Sequence, residues 1–102
     1  MRPIPKALRN LLASQERMKH CALLDKTCQG RIEWHHPWIY AGRQINEWWS
    51  IIGACAHHHR KVGSDREIRK GFERATLSLA SEEDLAKYPR KDWNAIKIFL
   101  NK

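Results

Sequence analysis

The feature that most constrains this chain is a pair of histidine clusters, the second of which carries a cysteine. His35 and His36 are adjacent, and further along the chain Cys55 is followed by three consecutive histidines. Histidine is only intermediate in its preference for the interior, and it needs hydrogen-bond partners when it is buried. Because clustered Cys and His side chains are typical metal ligands, the segment from 32 to 61 predicts at least one metal site.

The length of the chain makes a structural metal useful. We expect 102 residues to form a single domain, spanning 1–102, and such a domain buries only about 60–70% of its unfolded surface. A structural metal would therefore add materially to stability. The sequence shows no signal peptide and no apolar run of about 20 residues, so we expect a cytoplasmic protein without a membrane span. Three cysteines in a reducing compartment favour thiolate ligands or buried thiols over disulfides.

The charge balance points to an anionic partner. Lys and Arg number 19 against 11 Asp and Glu, which gives a net charge of +8. Such an excess favours nucleic acid as the partner, although a basic surface without a partner is the alternative. The five tryptophans suit either base stacking or core packing, and we expect core packing for most of them.

Apolar spacing and turn residues predict the elements around the two clusters. Residues 5–18 have the pattern of an amphipathic helix. Residues 31–34 predict a short strand that delivers the paired histidines, and residues 50–53 predict a second strand. Between them, Gly42 predicts a turn. A helix is expected to begin near His57 and to end near Gly63.

The remainder, residues 65–102, predicts a helical extension that completes the core. Ser81 followed by Asp84 is the pattern of a capping box. Asp92 is placed to cap a last helix, and Pro89 to end the one before it. We find no catalytic cluster in this region.

Cys21 and Cys28 are spaced more widely than the Cys-x-x-Cys knuckle of common zinc ribbons. A six-residue spacer can still return to the same ion if it turns, and Asp25 followed by Lys26 is a suitable turn. The alternative is a pair of buried free thiols, since free cysteine is often buried.

The order of elements over residues 20–62 resembles that of the HNH endonuclease family, especially its small phage and prophage members. This order is a strand, a pair of histidines, a loop, a second strand and a helix that carries histidines. The resemblance implies an α+β fold: a small ββα-metal finger stabilised by a structural zinc, with helical extensions over 5–18 and 65–102. It also implies the activity of a metal-dependent endonuclease that hydrolyses DNA phosphodiester bonds.

Residue roles follow from the same resemblance. His36 falls on the general base that activates water. His35 and His59 fall on the ligands of a divalent ion (Mg, Mn, Ni, Co or Zn) that stabilises the leaving group. His57 is expected to be a bystander, although which of the three consecutive histidines binds which ion is open. The remaining cysteines and histidine would hold the structural zinc: Cys21, Cys28, Cys55 and His58, the last standing where the family has a cysteine.

Several supporting residues have more than one candidate role. The family asparagine position falls on Ser50, whereas Asn46 lies four residues earlier, so either is a candidate to brace the loop behind His36. Glu33 is an alternative metal ligand or a partner that orients a histidine. Basic side chains around the finger are candidates for phosphate contacts: Arg43, Arg60 and Lys61.

The chemistry of hydrolysis by these histidines is coherent even without the resemblance. A neutral imidazole near its pKa can take a proton from water, whereas an imidazole bound to a metal has no free lone pair for that task. Two alternatives stay open: a non-catalytic, zinc-stabilised module that binds nucleic acid or protein, and a small toxin or assembly factor. Cleavage of both DNA strands with one site per chain would favour a homodimer.

Overall fold

The computed structural model describes residues 4–40, 42–89 and 92–101, and within them it has four short strands and five α-helices. The helices are α1 (Lys6–Ala13), α2 (Ala56–Lys61), α3 (Arg66–Leu79), α4 (Glu82–Ala86) and α5 (Trp93–Leu100). The strands are β1 (Ile32–His35), β2 (Ile39–Tyr40), β3 (Arg43–Gln44) and β4 (Ile52–Cys55). The small α+β fold expected from the sequence is confirmed, while residues 90, 91 and 102 of the helical extension lie outside the described residues.

The centre of the fold is an antiparallel pair of strands followed at once by a helix. β1 pairs with β4 so that His35 lies opposite Ile52 and Ile32 lies opposite Cys55. β4 then passes directly into α2. The pairing therefore brings the first histidine cluster and the Cys-His cluster to the same small sheet.

Gly53 in β4 makes room for the segment that carries the first cysteine. A Cβ atom built on Gly53 would lie 2.3 Å from the backbone oxygen of His20. The carbonyl oxygen of Gly53 accepts a hydrogen bond of 2.9 Å from the Ala22 amide. Glycine thus allows residues 20–22 to pass directly against the middle of β4.

The loop after the paired histidines contains a hairpin that the sequence did not predict. β2 and β3 pair antiparallel, with Tyr40 opposite Arg43. Gly42 has a φ of 77°, which is the left-handed conformation that glycine adopts readily. The predicted turn is thus present, and the two strands flanking it are too short to give a sequence signal.

The N-terminal helix is shorter than predicted. α1 ends at Ala13, and Gln15 is extended (φ −90°, ψ 129°) before a 3-10 turn over Glu16–Lys19. The Arg17 side chain is the physical reason, because its guanidinium donates to the backbone oxygens of Ile51 and Trp48. These bonds across the fold outweigh continuation of the helix, so the prediction of one helix over 5–18 was wrong in its last turn.

The second strand also begins later than predicted, at Ile52 instead of residue 50. Ser50 is fully buried and closes a turn: its hydroxyl donates to the Ile45 oxygen at 2.6 Å and accepts from the Glu47 amide at 3.0 Å. A serine bonded to its own loop backbone competes with strand pairing.

The predicted helix starts in the C-terminal extension are confirmed. Asp65 caps α3, Ser81 and Asp84 form a capping box on α4, and Asp92 caps α5. Each cap satisfies backbone amides that lack a partner within their helix. These are local interactions, and for that reason the sequence alone could predict them.

Three apolar clusters make up the core. The largest joins the loop, α4 and α5 around Trp38, Trp49 and Trp93, each at most 8% exposed, so most tryptophans serve packing as expected. A second cluster centres on Phe72 and the cysteines, and a third holds α1 through Leu12. Within the described residues, no helix has the length and apolar character needed to cross a membrane.

Candidate metal centre and neighbouring histidines

Four side chains converge where β4 ends and α2 begins: Cys21, Cys28, Cys55 and His58. Their ligand atoms all lie within 4.8 Å of one another. The Nδ1 atom of His58 is 3.2 Å from the sulfur of Cys55 and 3.6 Å from each of the other two sulfurs. This is the set of four residues that the sequence predicts as the ligands of a structural metal, gathered from a loop, a strand and a helix.

Backbone contacts place each ligand. Cys55 ends β4 and caps α2, and its sulfur accepts a 3.4 Å hydrogen bond from the His58 amide. The loop carrying Cys28 returns to β1 through Gly30, whose φ is +88° and whose added Cβ would lie 2.9 Å from that of Ala56. The Ala56 amide then donates to the Arg31 oxygen at 2.9 Å. The start of α2 and the end of the cysteine loop are thus held together.

The spacing of these atoms fits a tetrahedral ion. With Zn–S near 2.3 Å and Zn–N near 2.0–2.1 Å, tetrahedral geometry separates sulfur and nitrogen by about 3.6 Å. The three separations of 3.2, 3.6 and 3.6 Å are close to that value. Three of the ligand residues are buried, and His58 is 1% exposed. Three thiols and an imidazole in a closed site are a donor set typical of structural zinc.

The thiols differ in how readily they ionise. Burial raises the pKa of the Cys28 thiol to about 11, helped by the neighbouring Cys21 and Cys55. Burial also opposes ionisation of Cys55, but hydrogen bonds from backbone amides, that of His58 first, outweigh burial and lower its pKa. Three crowded thiolates are costly without a cation, so a dication at their centre would remove the main penalty to deprotonating them.

A second group of polar side chains lies on the other side of α2. The rings of His35 and His59 have their centroids 4.9 Å apart, and Phe72 packs edge-on against His35 at 5.3 Å. The Nδ1 atom of His59 is 2.8 Å from the Glu33 carboxylate, which also accepts from Arg31 at 3.3 Å. These contacts lower the pKa of Glu33, that with His59 most.

The two imidazoles of the first cluster are held neutral. Burial first, and then the nearby His59 and His36, lower the pKa of His35 to about 4. Burial also lowers the pKa of His36, and the Asn46 side chain partly opposes this shift. At neutral pH both rings therefore keep a lone pair, which is the form that binds a metal or accepts a proton.

Asn46, one of the two candidates for the family asparagine, is the one that affects His36. His36 Nε2 and Asn46 Oδ1 are both buried, and within the part of the chain that the structure describes neither makes a hydrogen bond of standard geometry, although the Asn46 side chain is close enough to oppose the lowering of the His36 pKa. The Ser50 hydroxyl instead hydrogen-bonds to backbone oxygens of its own loop, those of Ile45 and Glu47. Buried polar atoms without partners are rare and mark places where function or strain decides the sequence.

The remaining predicted residues lie at the surface around these groups. Arg43 in the hairpin and Arg60 and Lys61 at the end of α2 are exposed. His57 is half-buried beside His58, with 5.3 Å between ring centroids. These positions leave the three basic side chains free to meet an anionic partner.

Sequence reasoning missed two residues of the metal centre. The hydroxyl of Thr27 lies 2.7 Å from His58 Nε2 and donates to the Asp25 carboxylate at 2.6 Å. Two hydrogen bonds from Thr27, side chain first and backbone second, lower the pKa of Asp25. The sequence does carry a signal, because Asp followed two residues later by Thr is the pattern of a turn in which the aspartate bonds its own backbone. That pattern indicates the turn but not the histidine that the turn meets.

The Cys3His cluster is the only group of three or more His, Cys, Asp or Glu side chains that converges as metal ligands do within residues 4–40, 42–89 and 92–101.

Comparison of the chain with protein-family models, curated proteins and solved structures finds no match. Its function has therefore to be inferred from its own side chains.

Proposed function

We propose that the chain is a metal-dependent endonuclease that hydrolyses DNA phosphodiester bonds on a zinc-stabilised ββα-metal finger. The observation that carries the proposal is the pairing of His35 with His59 at 4.9 Å between ring centroids, beside a third neutral imidazole on His36. Two imidazoles suited to hold an ion, next to a third whose lowered pKa keeps it able to accept a proton, are the parts that hydrolysis by an activated water requires.

The finger is formed by β1, β4 and α2, and the Cys3His cluster joins α2 and the end of β4 to the loop that carries Cys21 and Cys28. In a chain of 102 residues, a structural zinc would supply stability that the small core lacks. A reducing cytoplasm would keep the thiols available for the ion. In this proposal the zinc does no chemistry and holds α2 against the strands.

His35 and His59 would hold the catalytic ion. When bound, a divalent ion in such a site neutralises developing charge and stabilises the leaving oxygen. Glu33 prepares His59 for this role: a carboxylate accepts the proton of Nδ1 at 2.8 Å, which leaves the lone pair on Nε2 for the metal. His35 stays neutral because its pKa is lowered to about 4.

His36 would act as the general base. Its Nε2 atom and the side-chain oxygen of Asn46 are both buried, and neither makes a hydrogen bond of standard geometry among the described residues. The Asn46 side chain nevertheless opposes the lowering of the His36 pKa, as an acceptor close to the ring proton would. We assign the ring proton to Nε2, where the Asn46 oxygen favours it, and proton acceptance from water to Nδ1. The family asparagine would then correspond to Asn46, displaced along the loop from the position where counting places it.

The substrate is inferred from charge. The net charge of +8 favours a polyanion, and the exposed cations at the end of α2 and in the hairpin flank the histidines in sequence. Phosphate contacts from such residues position a nucleic acid without reading its bases.

A non-catalytic zinc-stabilised module that binds nucleic acid or protein is the second candidate. The observation in its favour is that, among the described residues, only the Cys3His cluster gathers three or more ligand residues. A binding module would require the zinc and the basic surface but not His36.

The test is nicking of supercoiled plasmid by chelator-treated protein that has been reloaded with zinc and then supplied with Mg²⁺, Mn²⁺, Co²⁺ or Ni²⁺. The parent should nick with at least one of these ions. His36→Ala should lose about 10²–10⁴-fold in rate, the usual cost of removing a general base, while DNA affinity stays unchanged. The matched control is His20→Ala, because His20 is exposed and its side chain bonds only to Glu16 among the described residues.

His59→Ala separates the two roles. It should weaken ion binding, so that a higher metal concentration restores part of its rate, whereas His36→Ala should not respond to added metal. The opposite pattern would reverse the roles of these residues. A parent that binds DNA but never nicks it would refute the nuclease and leave the binding module.

A further inference from the structure

We propose that Thr27 and Asp25 form a hydrogen-bond chain that positions His58 and directs its Nδ1 atom to the metal. The inference rests on the proposed metal site and deepens it, because it assigns a function to two residues that are not ligands. Its elements are the contact between His58 and Thr27 and the two hydrogen bonds from Thr27 to Asp25.

The geometry of His58 separates its two ring nitrogens. Nδ1 faces the three sulfurs at 3.2–3.6 Å. Nε2 points away from them, 2.7 Å from the hydroxyl oxygen of Thr27 and 3.4 Å from the Asp25 carboxylate, which Thr27 also contacts. The ring is 1% exposed, so solvent cannot readily replace this partner.

The direction of the hydrogen bonds follows from elementary chemistry. The Asp25 carboxylate can only accept, and its Oδ1 atom takes both the hydroxyl of Thr27 at 2.6 Å and the amide of Thr27 at 2.8 Å. A hydroxyl has one proton, and that proton is committed to Asp25. The hydroxyl oxygen can therefore only accept from His58, so the imidazole proton lies on Nε2 and the lone pair lies on Nδ1.

The same chain explains the wide spacing of the first two cysteines. The turn that carries Asp25 and Thr27 fits between Cys21 and Cys28, where the Cys28 amide donates to the backbone oxygen of Asp25 at 3.2 Å. A two-residue spacer has no room for it. A thiolate ligand needs no orienting partner, but an imidazole ligand does, so a histidine at position 58 and a six-residue spacer belong together.

The first measurement is the tautomer of His58 in the unsubstituted protein, read from the nitrogen chemical shifts of the ring by long-range ¹⁵N–¹H NMR. We expect the proton on Nε2 both in the zinc-loaded protein and in the chelated protein wherever it stays folded. A proton on Nδ1 in the metal-free folded protein would overturn the proposal without any substitution.

The second measurement is zinc affinity by competition with a chromophoric chelator. Thr27→Val keeps the shape of the side chain and removes the hydroxyl, and we expect affinity to fall about 10–100-fold, as is usual for loss of an orienting partner. Thr27→Ser restores the hydroxyl and should recover most of the affinity. Unchanged affinity in Thr27→Val would refute the role of the chain.

A matched control distinguishes loss of orientation from loss of stability. Thr76→Val makes the same chemical change at a fully buried threonine that bonds Trp38 in the other half of the core. It should lower stability and leave zinc affinity as it is. If the parent bound no zinc in this assay, the metal site itself would be refuted, whereas a tight parent with an equally tight Thr27→Val would refute only the positioning chain.

Discussion

Gly53→Ala tests whether the close approach at β4 builds the metal centre. The added Cβ would lie 2.3 Å from the His20 backbone oxygen, with the Met18 oxygen and an Ile32 methyl each at 3.3 Å. The nearest contact is about 1 Å shorter than ordinary van der Waals contact. A backbone oxygen cannot rotate away as a side chain can, so β4 or the segment before Cys21 must shift.

Overpacking of this kind costs about 1–3 kcal/mol. For a domain of this size each kcal/mol lowers Tm by roughly 4–8 °C, so we expect a fall of roughly 5–20 °C in thermal unfolding followed by circular dichroism. Zinc affinity should fall with it, because the displaced segment carries Cys21. The matched control is Gly63→Ala, whose added Cβ meets none of the described residues within 4 Å and which should be neutral or stabilising by about 0.4–1 kcal/mol. Equal melting of the two variants would refute the reasoning.

Three further outcomes are expected. Chelation should lower Tm and added zinc should restore it, because an ion present at about 1,000 times its Kd stabilises the folded state by about 4.1 kcal/mol; an unchanged Tm would exclude a structural metal. The double variant Arg60→Gln, Lys61→Gln should reduce the slope of log affinity for DNA against log salt by about 0.9 for each phosphate that the variant no longer neutralises. The control Lys87→Gln should leave this slope unchanged. Equal slopes for the parent and the double variant would mean that DNA binds at another surface. Thr76→Val should cost about 1–3 kcal/mol in chemical denaturation, because the Nε1 donor of Trp38 loses its 2.7 Å partner; a smaller loss would mean that another acceptor replaces the hydroxyl.

The parts of the fold that the sequence predicted are those decided by local interactions. The caps at Ser81 and Asp92 act within three residues of themselves. The four ligands of the candidate metal centre were implied by the resemblance to the HNH endonuclease family, which left open which of the three consecutive histidines binds which ion. Their convergence within 4.8 Å follows the resemblance, which implied the same four.

The parts that the sequence did not predict depend on contacts between distant segments. Arg17 ends the first helical region by bonding to Ile51, 34 residues away. The effect of Asn46 on His36 arises from the path of a loop, whereas counting back from Cys55 leads to Ser50. Nothing in the local pattern distinguishes a polar side chain that closes its own turn from one that reaches another element.

The short helix α2 links the two candidate sites. Consecutive residues on a helix point about 100° apart, so His58 meets the sulfurs at 3.2–3.6 Å while His59 meets Glu33 at 2.8 Å. With only six residues, α2 is too short to be stable by itself, so in the zinc-bound protein that we propose its orientation would depend on Cys55 and on the ion that Cys55 and His58 hold. Loss of the zinc would therefore displace His59 as well. It follows that a cysteine variant without activity says nothing about catalysis, whereas a variant of His36 that retains its zinc isolates the chemical step.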